Sequence, residues 1–582
     1  MEREWMAGGT AAGGGIEIVG LGGVRRAPAA RVRAACEGLV ALAVVGDSPV
    51  TEQDLRGLLP AVRAGRWAEL TRWPGSYWVV ASDGRQHFVS GDLAGIRAVY
   101  YTPHQEGTAW ASEPGLLGRP LVPDLPLLAA RLAAGEHHWP HHSTYEQIPQ
   151  VPGGSGLLLA PGAPPQLVDI AGVEPAYELR EGAERFGRAF TDAVQHRVRA
   201  AGAVVGADLS GGLDSSAAVV LAAGVGTVHA VTYTDGYTSG EDMAFAARVA
   251  EHTAARHTLA TGSAEQLPFG FPPGQPTGAE PVLEAAMYAM DTAYLHPVRG
   301  LPLHLTGHGG DIVLDASSSC WVRLLQDGRR REAHRQVVAF ARLRNTAPGP
   351  YWKALKNAAA LGHSGSLVRA AEALERGPVT TQATVAGWSW CRLGAGASWL
   401  TAAGRHQVAV LLRQAARHRR QPELADEFDQ WAALRSSGAS ARGWTPYAEK
   451  LVVRPVYPYL DNEVVRAAFA VPALARRGLV SYKPLLQAAL PQLPDWLTSR
   501  RSKGSFTAQR IAGLARHQGL LDKLIMSSPL AAGGLIDHAA VRVALAQAAR
   551  GQSATVIADL HQLIVTCWWL TSQTAAKEVT AC

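Results

Sequence analysis

Nine consecutive residues, Asp208-Leu209-Ser210-Gly211-Gly212-Leu213-Asp214-Ser215-Ser216, bring glycines, hydroxyls and carboxylates into one short stretch. The apolar run Ala203-Val204-Val205 precedes them, and helix formers fill residues 217–223. That order predicts a short buried strand, a tight turn and a helix N-terminus. Such a turn offers free backbone N–H groups and the positive end of a helix dipole to an anion. Gly211 and Gly212 allow close backbone approach, and Ser210, Ser215 and Ser216 add hydroxyl donors. Asp214 fits a phosphate site only if a cation stands between it and the phosphates, so it reads as a Mg²⁺ ligand.

The stretch lacks the lysine of the nucleoside-triphosphatase loop, Gly-x-x-x-x-Gly-Lys-Ser/Thr. It resembles instead the Ser-Gly-Gly-x-Asp-Ser loop of ATP pyrophosphatases, enzymes that make an acyl-adenylate and release pyrophosphate. A Ser/Gly turn can also do no more than start a helix. The strand–turn–helix setting favours the ATP-binding reading.

The elements that must position this turn follow from the rest of the chain. At 582 residues it exceeds one ordinary core and calls for several domains. It is 47% hydrophobic and 18% charged, the balance of a globular chain rather than a disordered one. No apolar run approaches the roughly 18 residues of a membrane span. Met1-Glu2-Arg3-Glu4-Trp5 lacks the basic and apolar regions of a secretion signal. Cys36, Cys320, Cys391, Cys567 and Cys582 are scattered and make neither a disulfide framework nor a CxxC metal site, so the cytoplasm is the expected compartment. The net charge of +6 is modest for this length. The basic runs Arg329-Arg330-Arg331 and Arg417-His418-Arg419-Arg420 come without an aromatic platform or a nucleic-acid module. They are expected to be solvated helix faces, with neither nucleic acid nor membrane as a partner.

Residues 1–172 read as a β-rich domain. Gly15-Ile16-Glu17-Ile18-Val19-Gly20, Tyr77-Trp78-Val79-Val80-Ala81 and Ala98-Val99-Tyr100-Tyr101 lie between turn signals. The cluster His137-His138-Trp139-Pro140-His141-His142 has a proline at its centre and lacks the converging spacing of a zinc site, so a surface loop is expected there. Residues 173–582 begin with an amphipathic helix over 177–199, marked by Leu179, Phe186, Phe190, Val194 and Val198. Beyond the turn come a strand at Val228-His229-Ala230-Val231-Thr232-Tyr233, a helix over 241–254 and a strand at His257-Thr258-Leu259. A helix around 285–295 and the strand Leu303-His304-Leu305-Thr306 follow. Strands alternating with helices imply a parallel sheet that binds ligands at the carboxyl ends of its strands. Residues 320–450 read as mostly helical without a legible motif, and substrate specificity is expected there and in adjacent loops.

Several stretches resemble the asparagine synthetases. Gly75-Ser76-Tyr77-Trp78-Val79-Val80-Ala81-Ser82-Asp83, continuing to Gly91-Asp92-Leu93-Ala94-Gly95-Ile96-Arg97-Ala98-Val99-Tyr100-Tyr101, is similar to part of that family's glutaminase domain. So are Ala109-Trp110-Ala111-Ser112-Glu113, Thr144-Tyr145-Glu146-Gln147-Ile148 and Pro152-Gly153. The resemblance implies an Ntn-glutaminase-like sandwich. Its nucleophile is the cysteine at position 2, whose own amine can act as base. Here position 2 is Glu2, and the first cysteine, Cys36, lies inside the domain after a strand that begins near residue 15. The fold is expected to be kept and glutamine hydrolysis lost, leaving a degenerate domain that acts as scaffold or binds substrate.

In the second half, Thr306-Gly307-His308-Gly309-Gly310-Asp311-Ile312 resembles "Ser-Gly-Glu-Gly-Ser-Asp-Glu", which implies Asp311 as a second Mg²⁺ ligand beside Asp214. His308 stands where asparagine synthetases carry Glu and β-lactam synthetases carry Tyr. An imidazole there can accept a proton from an attacking ammonium or position an acyl group. Arg454-Pro455-Val456-Tyr457-Pro458-Tyr459-Leu460-Asp461 resembles "Glu-Ala-Arg-Val-Pro-Phe-Leu-Asp", with Arg454 replacing the Glu, which argues against a pocket for free aspartate and ammonia. Tyr482-Lys483-Pro484-Leu485-Leu486-Gln487 resembles "Lys-x-x-Leu-Arg". Arg500-Arg501-Ser502-Lys503-Gly504-Ser505-Phe506 resembles "Arg-x-Lys-x-x-Phe", which implies that Lys503 meets pyrophosphate and the adenylation transition state.

Without a working glutaminase, the amine must come from the substrate or a second molecule. β-lactam synthetases, carbapenam synthetases and the macrolactam synthetases of lasso-peptide biosynthesis fit that requirement. The "Tyr-Pro-Tyr-Leu-Asp" and "Lys-Pro-Leu-Leu" forms, the degenerate N-terminal domain and the Arg-rich helical region resemble the last group most. The expectation is a two-domain α/β and α+β enzyme, with the degenerate sandwich over 1–172 and an ATP-pyrophosphatase domain over 173–582. Ser210, Gly211, Gly212, Asp214, Ser215 and Ser216 would bind ATP, Asp214 and Asp311 would hold Mg²⁺, and Lys503 and His308 would be catalytic. The implied reaction adenylates an Asp or Glu side chain of a lasso precursor peptide, whose N-terminal amine then closes an isopeptide ring. A leader-binding protein and a leader protease are the implied partners. A β-lactam-type synthetase, an ammonia-fed asparagine synthetase and a non-catalytic binding protein are the alternatives.

Overall fold

The computed structural model describes all residues except 1–3, 10–14, 105–106, 380–386, 418–422, 480–481, 501–503 and 582. In the strand Val40–Asp47, Ala41, Ala43 and Val45 face one hydrophobic core while Leu42 and Val44 face another. Ser76–Ser82 repeats the division, with Trp78 and Val80 on one side and Tyr77, Val79 and Ala81 on the other. Successive side chains of a strand point to opposite faces, so these continuous apolar runs belong to a sheet covered on both sides. A second sheet covers one face, and the helix Glu52–Arg63, started by a Thr51/Asp54 capping box, covers the other.

Both sheets are six-stranded and antiparallel. One runs Gln166–Asp169, Ser155–Leu159, His87–Ser90, Ser76–Ser82, Val40–Asp47 and Val32–Glu37. The other runs Gln150–Val151, Val99–His104, Gly107–Ala111, Met6–Gly8, Arg25–Arg26 and Ile16–Glu17. The strand expected over residues 15–20 shrinks to Ile16–Glu17, because Leu21 N donates to Ile18 O and turns the chain back. The first strand is Met6–Gly8, paired with Gly107–Ala111 and Arg25–Arg26, although Met-Ala-Gly carries no β signal. Cys36 is exposed on Val32–Glu37, whereas the Glu2 expectation lies outside the described residues.

The histidine cluster departs from the surface loop expected. His138 is 3% exposed, with its Nδ1 3.0 Å from His363 Nε2. His363 Nδ1 in turn lies 2.7 Å from a Glu423 carboxylate oxygen. Among the described residues no group of three or more His, Cys, Asp or Glu is arranged to hold a metal ion.

The second half carries a parallel five-stranded sheet in the order Arg256–Thr261, Val228–Thr234, Val205–Asp208, His304–Leu305, Pro455–Val456. The helices Leu179–Ala201, Leu213–Ala223 and Gly240–Thr253 supply apolar residues to its core. The helix expected around 285–295 begins at Tyr288, after a 3₁₀ turn over Leu283–Met287. Ser319–Gln326, Arg330–Leu343, Pro348–Arg376, Ala402–Arg417 and Ala425–Lys450 fill the region read as helical. Arg329, Arg330, Arg331 and Arg417 are exposed, and residues 418–420 lie outside the described residues. Antiparallel sheets in the first half and a parallel sheet with helices in the second make this a two-part α/β chain. Among the described residues no helix is long and apolar enough to cross a membrane.

Buried polar groups join the halves. Asn462 accepts from Leu93 N at 2.9 Å through its side chain, and its own N–H donates to Gly75 O. Arg466 donates to Thr71 Oγ1 at 3.0 Å. The helix Ala425–Lys450 approaches the first half at Gly438, where a Cβ would fall 2.0 Å from Ala94 O. Arg197, on Leu179–Ala201, bridges Asp47 at 2.6 Å and Asp461 at 3.0 Å. Burial alone would raise the Asp47 carboxyl, but the Arg197 guanidinium holds it well below the usual carboxylate range.

Replacing Arg197 by Met strands two carboxylates, and the expected loss is about 3–5 kcal/mol at pH 7. Because the folded pKa of Asp47 is depressed, its share of this stability is present above an unfolded pKa of about 4 and is lost as pH falls through the folded value. Urea unfolding should therefore show a gap between wild type and Arg197→Met that is widest near neutrality and narrows below pH 4. Equal stability at pH 7 refutes the bridge.

Candidate active site

The strand Val205–Asp208 is extended by Leu209 N donating to Val231 O at 2.9 Å, and then the chain turns sharply. Gly211 has φ +73°, and a Cβ there would fall 2.3 Å from Asp242 O. Both the left-handed backbone and the close approach require glycine. The helix Leu213–Ala223 begins at Gly212 with no side-chain cap. Ser210 N donates to Ser215 Oγ at 3.2 Å, and Gly212 N donates to Ser210 Oγ at 3.3 Å. Ser216 is fully buried, and its hydroxyl has no hydrogen-bond partner among the described residues. An uncapped helix start with inward hydroxyls is the donor set that phosphate oxygens accept from.

The loop after His304–Leu305 packs directly on this turn. A Cβ at Gly307 would fall 2.8 Å from Ser215 N, and one at Gly310 would fall 2.6 Å from Asp214 Cγ. The glycines let Asp311, on the short helix Gly310–Val313, meet Asp214 around a shared cation. That cation is Lys483, whose Nζ lies 2.6 Å from Asp214 Oδ1 and 2.6 Å from Asp311 Oδ1. Lys483 is 1% exposed and caps the helix Pro484–Ala489 with a left-handed backbone, φ +52°. Such a conformation in a non-glycine residue persists only where the surroundings impose it. Burial alone would lower the Lys483 ammonium, but the Asp214 and Asp311 carboxylates hold it well above its ordinary value. The paired carboxylates converging on one cation also fit Mg²⁺, which takes hard oxygen donors.

His308 is half-buried at the same end of the sheet. Its Nε2–H donates to Ser437 O at 2.9 Å, since a carbonyl only accepts. In the neutral ring the lone pair therefore sits on Nδ1. The Tyr457 ring stands edge-on to it at 5.8 Å. Nearby, Asp208 accepts from Tyr294 and lies 2.6 Å from His304 Nε2. Trp444 donates to Asp291 at 3.0 Å, and burial, with the charges of Glu284 and Asp208, pushes the Asp291 carboxyl up to about 7.

Lys503 lies outside the described residues. Its flanks are anchored at the turn: Arg500 donates to Gly211 O and to Asp242, and Gly504 N donates to Asp242 Oδ2 at 3.0 Å. The sequence motif named Arg500 without revealing Asp242 as its partner, 258 residues away. Lys483 likewise carries no local mark of its position, because both its carboxylates come from remote segments.

Removing the shared ammonium leaves Asp214 and Asp311 repelling each other. Lys483→Met should cost about 2 kcal/mol, the low side for a buried pair because Asp311 is largely exposed. Added Mg²⁺ should then raise the Tm of Lys483→Met more than that of wild type, a difference readable by thermal unfolding in 0 and 10 mM MgCl₂ (roughly saturating for a carboxylate pair). A variant as stable as wild type and indifferent to Mg²⁺ refutes the shared-cation arrangement.

No curated protein matches the chain. A solved structure of glutamine phosphoribosylpyrophosphate amidotransferase from B. subtilis, complexed with ADP and GMP, is similar to 50% of the chain at 10% identity with a TM-score of 0.16. The chain spans 59% of that protein's length, and so loose a likeness supports no conclusion about activity. The asparagine synthase profile matches residues 185–571, a range that holds the turn, both carboxylates, His308 and Lys483. By that match the chain belongs to the asparagine synthase family, whose members form amide bonds at the expense of ATP.

Proposed function

We propose that the protein closes an isopeptide ring in a lasso precursor peptide. In this reading ATP adenylates an Asp or Glu side chain of the peptide, and the peptide's own N-terminal amine displaces AMP. The strongest support is the convergence of the uncapped turn, Asp214, Asp311 and Lys483 at the carboxyl ends of a parallel sheet, with His308 on the adjoining loop. The first-turn N–H groups and the hydroxyls of Ser210, Ser215 and Ser216 would hold the triphosphate. Asp214 and Asp311 would hold Mg²⁺, which when bound offsets the charge of the triphosphate. The peptide carboxylate attacks the α-phosphorus and pyrophosphate leaves. Lys503, one residue from the anchored Gly504, would then face the charge redistributed as the α–β bond breaks.

His308 would take the proton released as the amine attacks the acyl carbon, through the Nδ1 lone pair left by its bond to Ser437 O. A peptide that carries both amine and acid makes the second step intramolecular, so the enzyme's main task is to hold the ends together. Arg454 in place of an acidic residue favours this over synthesis from free aspartate and ammonia. A leader-binding protein and a leader protease, needed to expose the amine, are the partners this reading proposes.

The decisive experiment incubates the purified protein with ATP, Mg²⁺ and core peptides that have a free N-terminus and an internal Asp or Glu. Mass spectrometry should show loss of one water, matched by AMP. Asparagine formed from aspartate and ammonium, with no peptide product, would replace the reading.

Lys503→Ala should lower turnover by a factor on the order of 10² to 10³ with a much smaller change in apparent ATP affinity, because a preorganised charge acts mainly on the transition state. Lys503→Arg should restore only part of the rate, since a planar guanidinium does not replace a compact ammonium. Normal turnover in Lys503→Ala would remove it from the mechanism and make Lys483 the next candidate.

A further inference from the structure

A cavity of about 420 Å³ lies between the two halves, walled by Trp78 and Tyr100 on one side and Val456 and Tyr457 on the other. Five arginines reach it, and three are matched by carboxylates. Arg97 pairs with Glu4 at 2.8 Å, Arg197 with Asp47 at 2.6 Å, and Arg442 with Glu280 at 2.8 Å, Glu280 also accepting from Tyr100. Glu113 and Glu449, also on the wall, are each engaged in contacts of their own. Arg31 and Arg454 remain. Neither guanidinium has a carboxylate within ion-pairing distance or a hydrogen-bond acceptor among the described residues; Arg31 is exposed and Arg454 half-buried, with Asp47 and Glu4 acting on Arg454 from farther away. Burial first, and then repulsion from Arg31, hold the Arg454 guanidinium below its ordinary value despite the opposing pull of Asp47 and Glu4.

We propose that this cavity is a binding site for a carboxylate, held between the guanidinium groups of Arg31 and Arg454. A half-buried cation without a close counter-ion, such as Arg454, costs some stability in the empty protein, and a ligand that supplies the anion recovers it. Arginine presents a planar fork that matches the two oxygens of a carboxylate. The two arginines come from different halves, Arg31 next to Val32–Glu37 and Arg454 next to Pro455–Val456, so an anion between them also ties the halves together. The same wall ends at Tyr457, whose ring stands against His308. A carboxylate here therefore sits one aromatic ring from the candidate acyl site. It could belong to a small free acid or to the end of a bound peptide. The proposal stands on the cavity alone and does not depend on ring closure.

Thermal unfolding without ATP, at constant ionic strength in chloride, tests it with four probes: succinate, the tripeptide Gly-Gly-Ala with a free carboxyl, its C-terminal amide, and inorganic phosphate. Succinate or the free-acid tripeptide should raise Tm in a saturable way, and the amide should not. Response to succinate alone identifies a small acid as the ligand, and response to the tripeptide identifies a peptide end. Arg31→Met and Arg454→Met should each weaken that binding about tenfold or more, the loss of one charge-assisted hydrogen-bonding partner. Arg454→Met without ligand should unfold at the wild-type temperature or higher, because an unmatched charge has been removed. Absence of any carboxylate response, a response retained in both variants, or an equal response to phosphate would each overturn the assignment.

Discussion

One ammonium holds three distant segments of this chain at a point. Lys483 reaches the first turn of Leu213–Ala223 through Asp214 and the loop after His304–Leu305 through Asp311. Two carboxylates so placed would repel each other, most at the buried Asp214 and less at the largely exposed Asp311, since repulsion grows as the local dielectric falls. The lysine reverses the sign of that interaction. Its left-handed backbone shows that the geometry of the site, rather than local preference, fixes its conformation. Tyr459, fully buried, adds a hydrogen bond to the Asp214 backbone oxygen at 3.1 Å, so the acid is fixed at its main chain as well as at its carboxylate.

Around that point the helix Ala425–Lys450 acts as a shared wall. Gly438 touches the Ala94 backbone of the first half, while its neighbour Ser437 accepts from His308 in the second. Further along, Ser440 donates to Glu284 and Trp444 to Asp291. A shift of this helix would thus alter the imidazole, the acidic residues beside the turn and the contact between the halves at once. Packed interiors transmit such shifts instead of absorbing them.

The turn over residues 208–216 was legible in the sequence because local sterics dictate its residue types. Gly211 has no alternative where a Cβ would strike Asp242 O, and the serines lie within one turn of the donors they complement. The strands of both kinds of sheet were legible for a related reason: residues buried on two faces leave unbroken apolar runs. What escaped notice depends on partners far along the chain. Met6–Gly8 is a strand only because Gly107–Ala111 and Arg25–Arg26 flank it. His138 is buried because His363 lies across from it, 225 residues away. The place of Lys483 between two carboxylates is likewise invisible in Tyr-Lys-Pro-Leu-Leu, which records a helix start and nothing of the charges it meets.

The contacts that join the halves bear on how such a chain can change over time. Asn462, Arg466 and Arg197 spend their hydrogen-bonding groups on Gly75, Leu93, Thr71 and Asp47 of the first half. Shedding that half would strip Asn462, Arg466 and Arg197 of those partners, whereas altering residues that no neighbour touches would leave them satisfied. A gene for this protein can therefore lose an activity housed in the sandwich far more easily than it can lose the sandwich. Contacts of this kind tie the outline of the sandwich to the second half and leave its interior uninvolved.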